Sequence, residues 1–417
     1  MEKRVVITGM GVISPVGKSV EIFWNNLVNG VCGIGEITKF DTSSLPVKVA
    51  GEVKDFDPKE HGLPGNALRK NDLYTLYAMA AANEAVADSG IVAKEGEDAN
   101  IDPARFGVYV GSGIGGLNTF VNEAIKMHKE GPEWISPLFI PNMIANIASG
   151  NIAIANNARG VCLPVVTACA TGTHAIGEAY RAIKHGYADA IIAGGSEASI
   201  NPIAVGGFTN ARALNKETNP LLASLPFDAR RGGFVIAEGS GVVVLEEYER
   251  AVARGAKIYA EVCGYGNTCD AYHYTAPRPD GSCAAQAIKN AISEAKYTDD
   301  DMVHINAHGT ATPLNDASET AAIKIAFGEE AAKRIAINST KSMTGHALGA
   351  AGGLEIIAAA LAVKNGIVPP TIGLEQPDPV CDLNYTPKVA AKHDLTMALS
   401  TSLGFGGHNA CVVLRKF

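Results

Sequence analysis

The chain reads as an α/β protein built from two related halves, and three features of its 417 residues lead there. Short β-branched runs alternate with longer Ala-rich stretches along its whole length, the pattern of strands covered by helices. The alternation starts over near residue 256, after a helical stretch stopped by Gly255. Similar small-residue turns recur in both parts: Thr171-Gly172 and Thr344-Gly345 each open a helix, and Gly113-Ile114-Gly115-Gly116 is echoed by Gly404-Phe405-Gly406-Gly407. The expected halves are 1–255 and 256–417, and a pocket is expected at the seam between them.

Taken in order, residues 5–7 form a strand that enters a turn at Gly9 and Gly11, and 20–27 a helix ending near Gly30. Residues 31–66 are rich in Gly, Pro and Asp and read as irregular. Residues 71–90 make an Ala-rich helix with Leu73, Leu76, Tyr77, Ala80 and Ala81 on one face and Gly90 as its stop. A strand at 106–110 runs into Gly111-Ser112-Gly113-Ile114-Gly115-Gly116 and then a helix to about 129. This matches G-x-G-x-x-G between strand and helix. It does not follow the first strand, however, and no acidic residue ends a second strand about twenty residues on, as ribose recognition requires. The glycines are therefore read as allowing close backbone packing.

Val165-Val166-Thr167 reads as a buried strand, followed by a small-residue turn at Cys169 and a helix over 175–185 closed by Gly186. Strands at 190–195 and 241–246 flank a long excursion, 201–240, of the kind that builds binding sites. The second half gives strands at 259–262, 303–306 and 334–338, helices at 283–294, 316–327 and 352–364, and paired strands at 396–402 and 409–415.

Bulk properties exclude several classes. A net charge of -8 and a pI near 5.7 argue against a nucleic-acid partner. The eight Cys (32, 162, 169, 263, 269, 283, 381 and 411) contain no C-x-x-C pair, so neither a zinc knuckle nor a redox dithiol is suggested. Glu2-Lys3-Arg4 precedes an apolar run too short and too broken by glycine for a secretion signal. The longest apolar run, around 354–363, falls short of the ~20 residues that span a bilayer. These features lead us to expect reduced thiols in a cytoplasmic protein without a membrane segment.

The chemistry centres on Cys169. A buried Cys is ordinarily an inert small hydrophobe. This one sits where a strand gives way to a helix, and the positive helix end favours a thiolate. Two histidines lie in comparable places: His308 in Asn306-Ala307-His308-Gly309-Thr310-Ala311-Thr312, and His346 in Lys341-Ser342-Met343-Thr344-Gly345-His346. α/β folds place their sites at such strand ends. His304-x-Asn306-x-His308 could also be read as metal ligands, but no carboxylate or further Cys has ligand spacing with them.

Thr167-Ala168-Cys169-Ala170-Thr171-Gly172, Asn306-Ala307-His308-Gly309-Thr310, Lys341-Ser342-Met343-Thr344-Gly345-His346 and Gly404-Phe405-Gly406-Gly407 together resemble the four signature blocks of the β-ketoacyl-[acyl-carrier-protein] synthases, in particular the condensing enzymes of type II fatty acid synthesis. The resemblance implies the thiolase fold, two related halves in an α-β-α-β-α sandwich, and a homodimer. It implies that Cys169 carries the acyl chain as a thioester while malonyl-carrier protein loses CO2 and attacks it. His308 and His346 would hold the enolate oxygen, and the N–H groups of Cys169 and Phe405 a second oxyanion. Lys341 would hold His346, and Glu355 would hold Lys341. Thr310, Thr312 and Thr275 would bond the pantetheine arm, with Gly406 beside the substrate. Ile114 and Phe405 would line the acyl gate. Arg69, Lys70 and Arg212 would meet acyl carrier protein. No cofactor of its own is implied; the substrates ride on 4'-phosphopantetheine.

The chain departs from the family at Leu403, where a Phe is common, and at Glu133-Trp134, where some members are basic. A polyketide ketosynthase subunit shares the same blocks. A non-catalytic chain-length factor would lack the Cys. A thiolase acting on coenzyme A would need a second catalytic Cys, but Cys411 lies in an apolar strand.

Overall fold

The computed structural model describes residues 2–93, 96 and 98–417. Among them, nine strands form one mixed sheet: β1 (Val5–Ile13), β2 (Phe106–Gly111), β3 (Ala190–Glu197), β4 (Gly239–Glu247), β5 (Ala260–Cys269), β6 (Val303–Asn306), β7 (Ala336–Asn338), β8 (Met397–Gly404) and β9 (His408–Arg415). Their order is β2-β3-β4-β1-β5-β9-β8-β6-β7. Outside β2, Cys162 adds a parallel bridge to Val108. Counted outward from the middle, each half then lays down its first, fifth, fourth, second and third extended segments. So β1 matches β5, β4 matches β9, β3 matches β8, β2 matches β6, and the Cys162 bridge matches β7. The halves join through a short antiparallel pairing, Val5↔Val262 to Ile7↔Ala260.

Five helices build the layers: α1 (Leu73–Ser89), α2 (Thr171–Lys184), α3 (Ser282–Glu294), α4 (Pro313–Phe327) and α5 (Ala351–Asn365). α1 covers the outer face of the first half, packing Leu76, Tyr77 and Ala81 against Val108, Val242 and Val244. α3 and α4 cover the outer face of the second, with Ile288, Ile292 and Ile323 against Ile305, Leu399 and Val413. α2 and α5 lie between the halves, where Ile176, Ile183, Ile356 and Ile357 join Val243, Leu245, Val262 and Val412. This is the five-layer thiolase-like sandwich.

α1 starts where the Asp72 carboxylate accepts the Tyr74 N–H and ends at Gly90 with φ +66, a left-handed stop open to glycine. α5 needs no polar face, because both sheet halves surround it; 13 of its 15 residues are buried. With the turn before it, it makes an 18-residue stretch, Leu348–Asn365, that passes for a membrane span by length and composition. The apolar run is thus longer than the sequence reading allows. It is 89% buried inside the protein, the mark of a core helix.

Three expectations change. β1 does not end in a turn at Gly9 and Gly11 but continues to Ile13, with one shift of pairing register between Ile7 and Gly9. A Cβ at Gly9 would lie 2.0 Å from the Ala85 carbonyl oxygen, and one at Gly11 1.9 Å from that of Ala81. These glycines admit the α1 backbone. Val165-Val166-Thr167 is not a strand: the run is irregular and Val166 is 51% exposed. The strand-like pairing lies upstream, where Val108 N–H donates to Val161 and Leu163 N–H donates back to Val108. Finally, the paired motifs are misaligned. The counterpart of the turn after β2, at Gly113, is the His308 loop after β6. The Gly404 turn after β8 matches the end of β3.

Candidate active site

Cys169 lies in one 3-10 turn, Ala168–Ala170, that runs directly into α2. Ala168 has φ +51, a left-handed backbone that an L side chain rarely adopts, so Cys169 sits on a strained corner. Gly404 lets the end of β8 close on this corner; a Cβ there would fall 2.6 Å from the Thr167 carbonyl oxygen. The N–H groups of Phe405 and of Cys169 itself consequently aim at the sulfur.

His308 leaves the end of β6, and its backbone is clamped. The Glu319 carboxylate on α4 accepts the N–H groups of His308 (2.7 Å) and Gly309 (2.8 Å) and the Thr401 hydroxyl (2.7 Å). His346 follows the short helix Lys341–Thr344. It pairs backbone to backbone with the 235–237 segment, donating to Val235 and accepting from Ala237. Its ring stands edge-on to Phe234 at 5.2 Å and perpendicular to His308 at 5.2 Å.

Cys169, His308 and His346 all line one cavity of about 350 Å3, together with Phe405, Thr310, Thr312, Thr275, Arg212, Phe234 and Leu403. That volume suits a thin extended ligand more than a bulky one. The Thr310 and Thr312 hydroxyls stand 3.0 Å apart on one wall.

Behind the imidazoles, Lys341 and Glu355 form a fully buried ion pair. The Lys341 ammonium also donates to His308 Nδ1 at 3.4 Å, so neutral His308 carries its proton on Nε2. Lys341 therefore touches His308, whereas the sequence reading put it on His346. Neither ring nitrogen of His346 has a protein partner, although both are buried. Burial, reinforced by the Lys341 charge, holds both histidines well below 6.5, so both are neutral imidazoles at physiological pH. Burial pushes the Glu355 carboxyl up to about 7, against the pull of Lys341.

The sulfur departs from expectation. Burial pushes the Cys169 thiol up to about 11, while the Lys341 charge and the Phe405 N–H pull it down less. Desolvation outweighs the helix end, so the group is a thiol.

Other expected residues fall elsewhere. Ile114 is 39% exposed and outside the cavity lining, and Gly406 is flanked by lining residues without being one. Arg69 borders a separate surface cavity with Asn71, Asn118 and Asn142, and Lys70 is exposed. His304 is buried, its Nε2 bonded to the Asn338 side chain at 2.8 Å, facing away from His308's chamber. Cys411 is wholly buried in β9, its thiol pushed far up, so it offers no second nucleophile.

The glycine-rich turn after β2 has no room for a nucleotide. Glu197 accepts the Gly113 N–H at 2.9 Å, and a Cβ at Gly111 would meet the Val165 carbonyl oxygen at 1.9 Å. Sequence reasoning missed Glu319 and Phe234. The available signal for Glu319 was a carboxylate in the second turn of the helix that follows the His308 loop.

Comparison with known proteins identifies the family. The N-terminal domain of beta-ketoacyl synthases matches residues 2–251 and the C-terminal domain matches residues 259–375. The chain is 48% identical to the 3-oxoacyl-[acyl-carrier-protein] synthase 2 of Staphylococcus aureus (strain COL) over 416 residues, covering 100% of this chain and 99% of that one. It is 47% identical to the protein of the same name from Synechocystis over 417 residues, with the same coverage. Among solved structures it superposes on the ishigamide ketosynthase/chain length factor with a TM-score of 0.91 at 34% identity, and on a beta-ketoacyl synthase from Burkholderia phymatum STM815 with 0.90 at 33%, each over 100% of both chains. Carrying both domains of that family along with this fold, the chain belongs to the beta-ketoacyl synthases.

Proposed function

We propose that this protein is an acyl carrier protein-dependent condensing enzyme that elongates fatty acids by two carbons. The observation that carries the reading is the convergence of one sulfur and two neutral imidazoles on a single narrow chamber. Cys169 attacks the acyl-carrier thioester; the acyl group moves to the sulfur, and the carrier thiol leaves with the proton. Malonyl-carrier protein then loses CO2. The enolate oxygen is held by the His308 Nε2–H and an N–H of His346, each such donor worth about 3 kcal/mol in the transition state. Because neither histidine is charged, they stabilise the oxyanion without quenching it by proton transfer. The enolate carbon attacks the Cys169 thioester, and the N–H groups of Cys169 and Phe405 hold the tetrahedral oxyanion until the sulfur leaves. Lys341 repels protons from both rings and fixes the His308 tautomer, and Glu355 balances its charge.

Thr310, Thr312 and Thr275 are suited to bond the amides of a 4'-phosphopantetheine arm, and Arg212 at the chamber to meet an acidic carrier. No cofactor of the enzyme's own is needed. Residues 1–255 bring the sulfur and 256–417 both imidazoles. Val161, Leu163 and Val166 stay exposed along the edge beside β2, which supports a homodimer closing that edge. Eight free cysteines fit a reducing, cytoplasmic setting.

A polyketide ketosynthase is the second reading. One structural neighbour is a type II polyketide ketosynthase bound to its carrier protein and a hexaketide, also at 34% identity and a TM-score of 0.91. The higher full-length identity to the fatty acid enzymes favours the first. Mass spectrometry of acyl-Cys169 formed from a mixture of carrier-bound chains, followed by malonyl-carrier addition, decides. Saturated chains extended to 3-oxoacyl products support the proposal. No acyl-Cys169, or loading of poly-oxo chains alone, overturns it.

A further inference from the structure

Residues 226–237 form a strap threaded between the two walls of the chamber, 211–213 and 310–315. On one side the Phe234 N–H donates to Ala213, and a Cβ at Gly233 would lie 2.6 Å from the Asn215 nitrogen. On the other the Gly233 N–H donates to the Ala311 carbonyl at 3.0 Å. Ala311 stands between Thr310 and Thr312 with φ +63, a conformation that persists only where its surroundings hold it.

Two residues before Gly233, Arg231 is 8% exposed and ties the strap to the same wall. Its Nη2 donates to the Pro313 carbonyl at 3.2 Å. Its Nη1 donates to Asp378 at 2.6 Å and to the Asp228 carbonyl at 3.0 Å. Its Nε stays unbonded, 3.7 Å from the buried Asp316 carboxylate. Asp228 in turn accepts the N–H groups of Glu375 and Gln376, and Asp316 accepts that of Phe227. One guanidinium fork thus ties the strap, the 313 wall and the 378 segment together. The other end of the strap pairs with His346 through its own backbone bonds and does not depend on Arg231.

We propose that Arg231 is a positioning residue for the carrier arm: through Pro313 and Ala311 it sets where the Thr310 and Thr312 hydroxyls stand in the chamber. This rests on the reading that the chamber takes carrier-bound substrates. A Lys at 231 offers one point charge in place of a planar fork and cannot keep the Pro313 and Asp378 contacts at once.

The test is steady-state condensation by Arg231→Lys and wild type, with Cys169 alkylation by iodoacetamide followed by mass mapping. We expect the KM for malonyl-carrier protein to rise about tenfold, with kcat within about threefold and the Cys169 alkylation rate unchanged. A KM within about twofold of wild type overturns the proposal, as does a fall in kcat accompanied by altered alkylation, which would mark general loosening. Should Arg231→Lys fail to fold, Asp378→Ala removes one partner from the surface side; its KM should rise about threefold, and an unchanged KM again overturns the proposal. A wild-type protein that did not condense would instead sink the reading of the chamber itself, so the two failures are distinguishable.

Discussion

The two halves use the same corner twice and to opposite ends. In the first, Ala168 (φ +51) opens the turn Ala168–Ala170, which feeds the buried helix α2. In the second, Leu348 (φ +48) opens the turn Leu348–Ala350, which feeds the buried helix α5. Cys169 and Gly349 occupy the same place. Each corner meets the end of a strand from the other half. At Cys169 that strand is β8, and the N–H groups of Phe405 and Cys169 face a sulfur and a chamber. At Gly349 it is β3, and Glu197 accepts the N–H groups of Gly349 (3.2 Å) and Gly113 (2.9 Å). A carboxylate fills the place that the sulfur and the open chamber take in the other copy. The strained corner therefore belongs to the architecture. Only at Cys169 are the donors left open to a cavity, and there the second half supplies two imidazoles.

The largest effect should come from Cys169→Ala, which removes the sulfur proposed as the nucleophile. Condensation should fall on the order of 10^4-fold or more while malonyl decarboxylation survives. Undiminished product formation would remove Cys169 from the role of nucleophile. Next, His308→Ala or His346→Ala should each lower decarboxylation about 10^2- to 10^3-fold while Cys169 still takes up acyl groups. Normal turnover by both would end the enolate assignment.

The sealed corner is tested by Gly349→Ala. Its new Cβ would stand 2.4 Å from the Gly113 nitrogen and 3.0 Å from Glu197, so we expect about 2–3 kcal/mol of destabilisation by denaturant titration. A loss below the error of the titration would mean the corner has slack. Glu197 gives a pH signature. Burial raises its carboxyl to about 7 from an ordinary 4.5, so the folded state binds that proton more tightly than the unfolded chain. Its contribution is fully present below pH 4.5 and is lost as pH rises through 7. Glu197→Gln should flatten that decline in stability between pH 4.5 and 7, and an unaltered slope would contradict the buried carboxyl.

The smallest effect concerns the thiol. With Cys169 pushed up to about 11 and buried, iodoacetamide should label exposed Cys269 first, and the Cys169 rate should climb steadily from pH 7 to 10. A long-chain electrophile that fills the chamber should reverse the preference. A plateau for Cys169 near neutral pH would restore the low-pKa thiolate that its place before a helix suggested.

Legibility varied with how local the cause was. The strand Val303–Asn306 and the helix ending at Glu294 were readable to the residue, because apolar periodicity and flanking polar turns are local. Gly9 and Gly11 were misread because glycine in a sequence does not say whether it bends the chain or admits a neighbour. Here the neighbour was α1, some seventy residues away by the numbering. The Lys341 contact was assigned to the nearer histidine in sequence, yet the ammonium reaches His308, 33 residues upstream.

The sequence alone determined the alternation of strands and helices, the break near the middle, and the residue types able to form a thioester and hold an enolate. These depend on local periodicity and side-chain chemistry. Only the tertiary structure decided which corner is open and which is sealed, that the sulfur rests as a thiol, and that Lys341 serves His308. Those outcomes depend on desolvation and on approaches between segments far apart in the chain, and burial acts on a group only once the whole fold has closed around it.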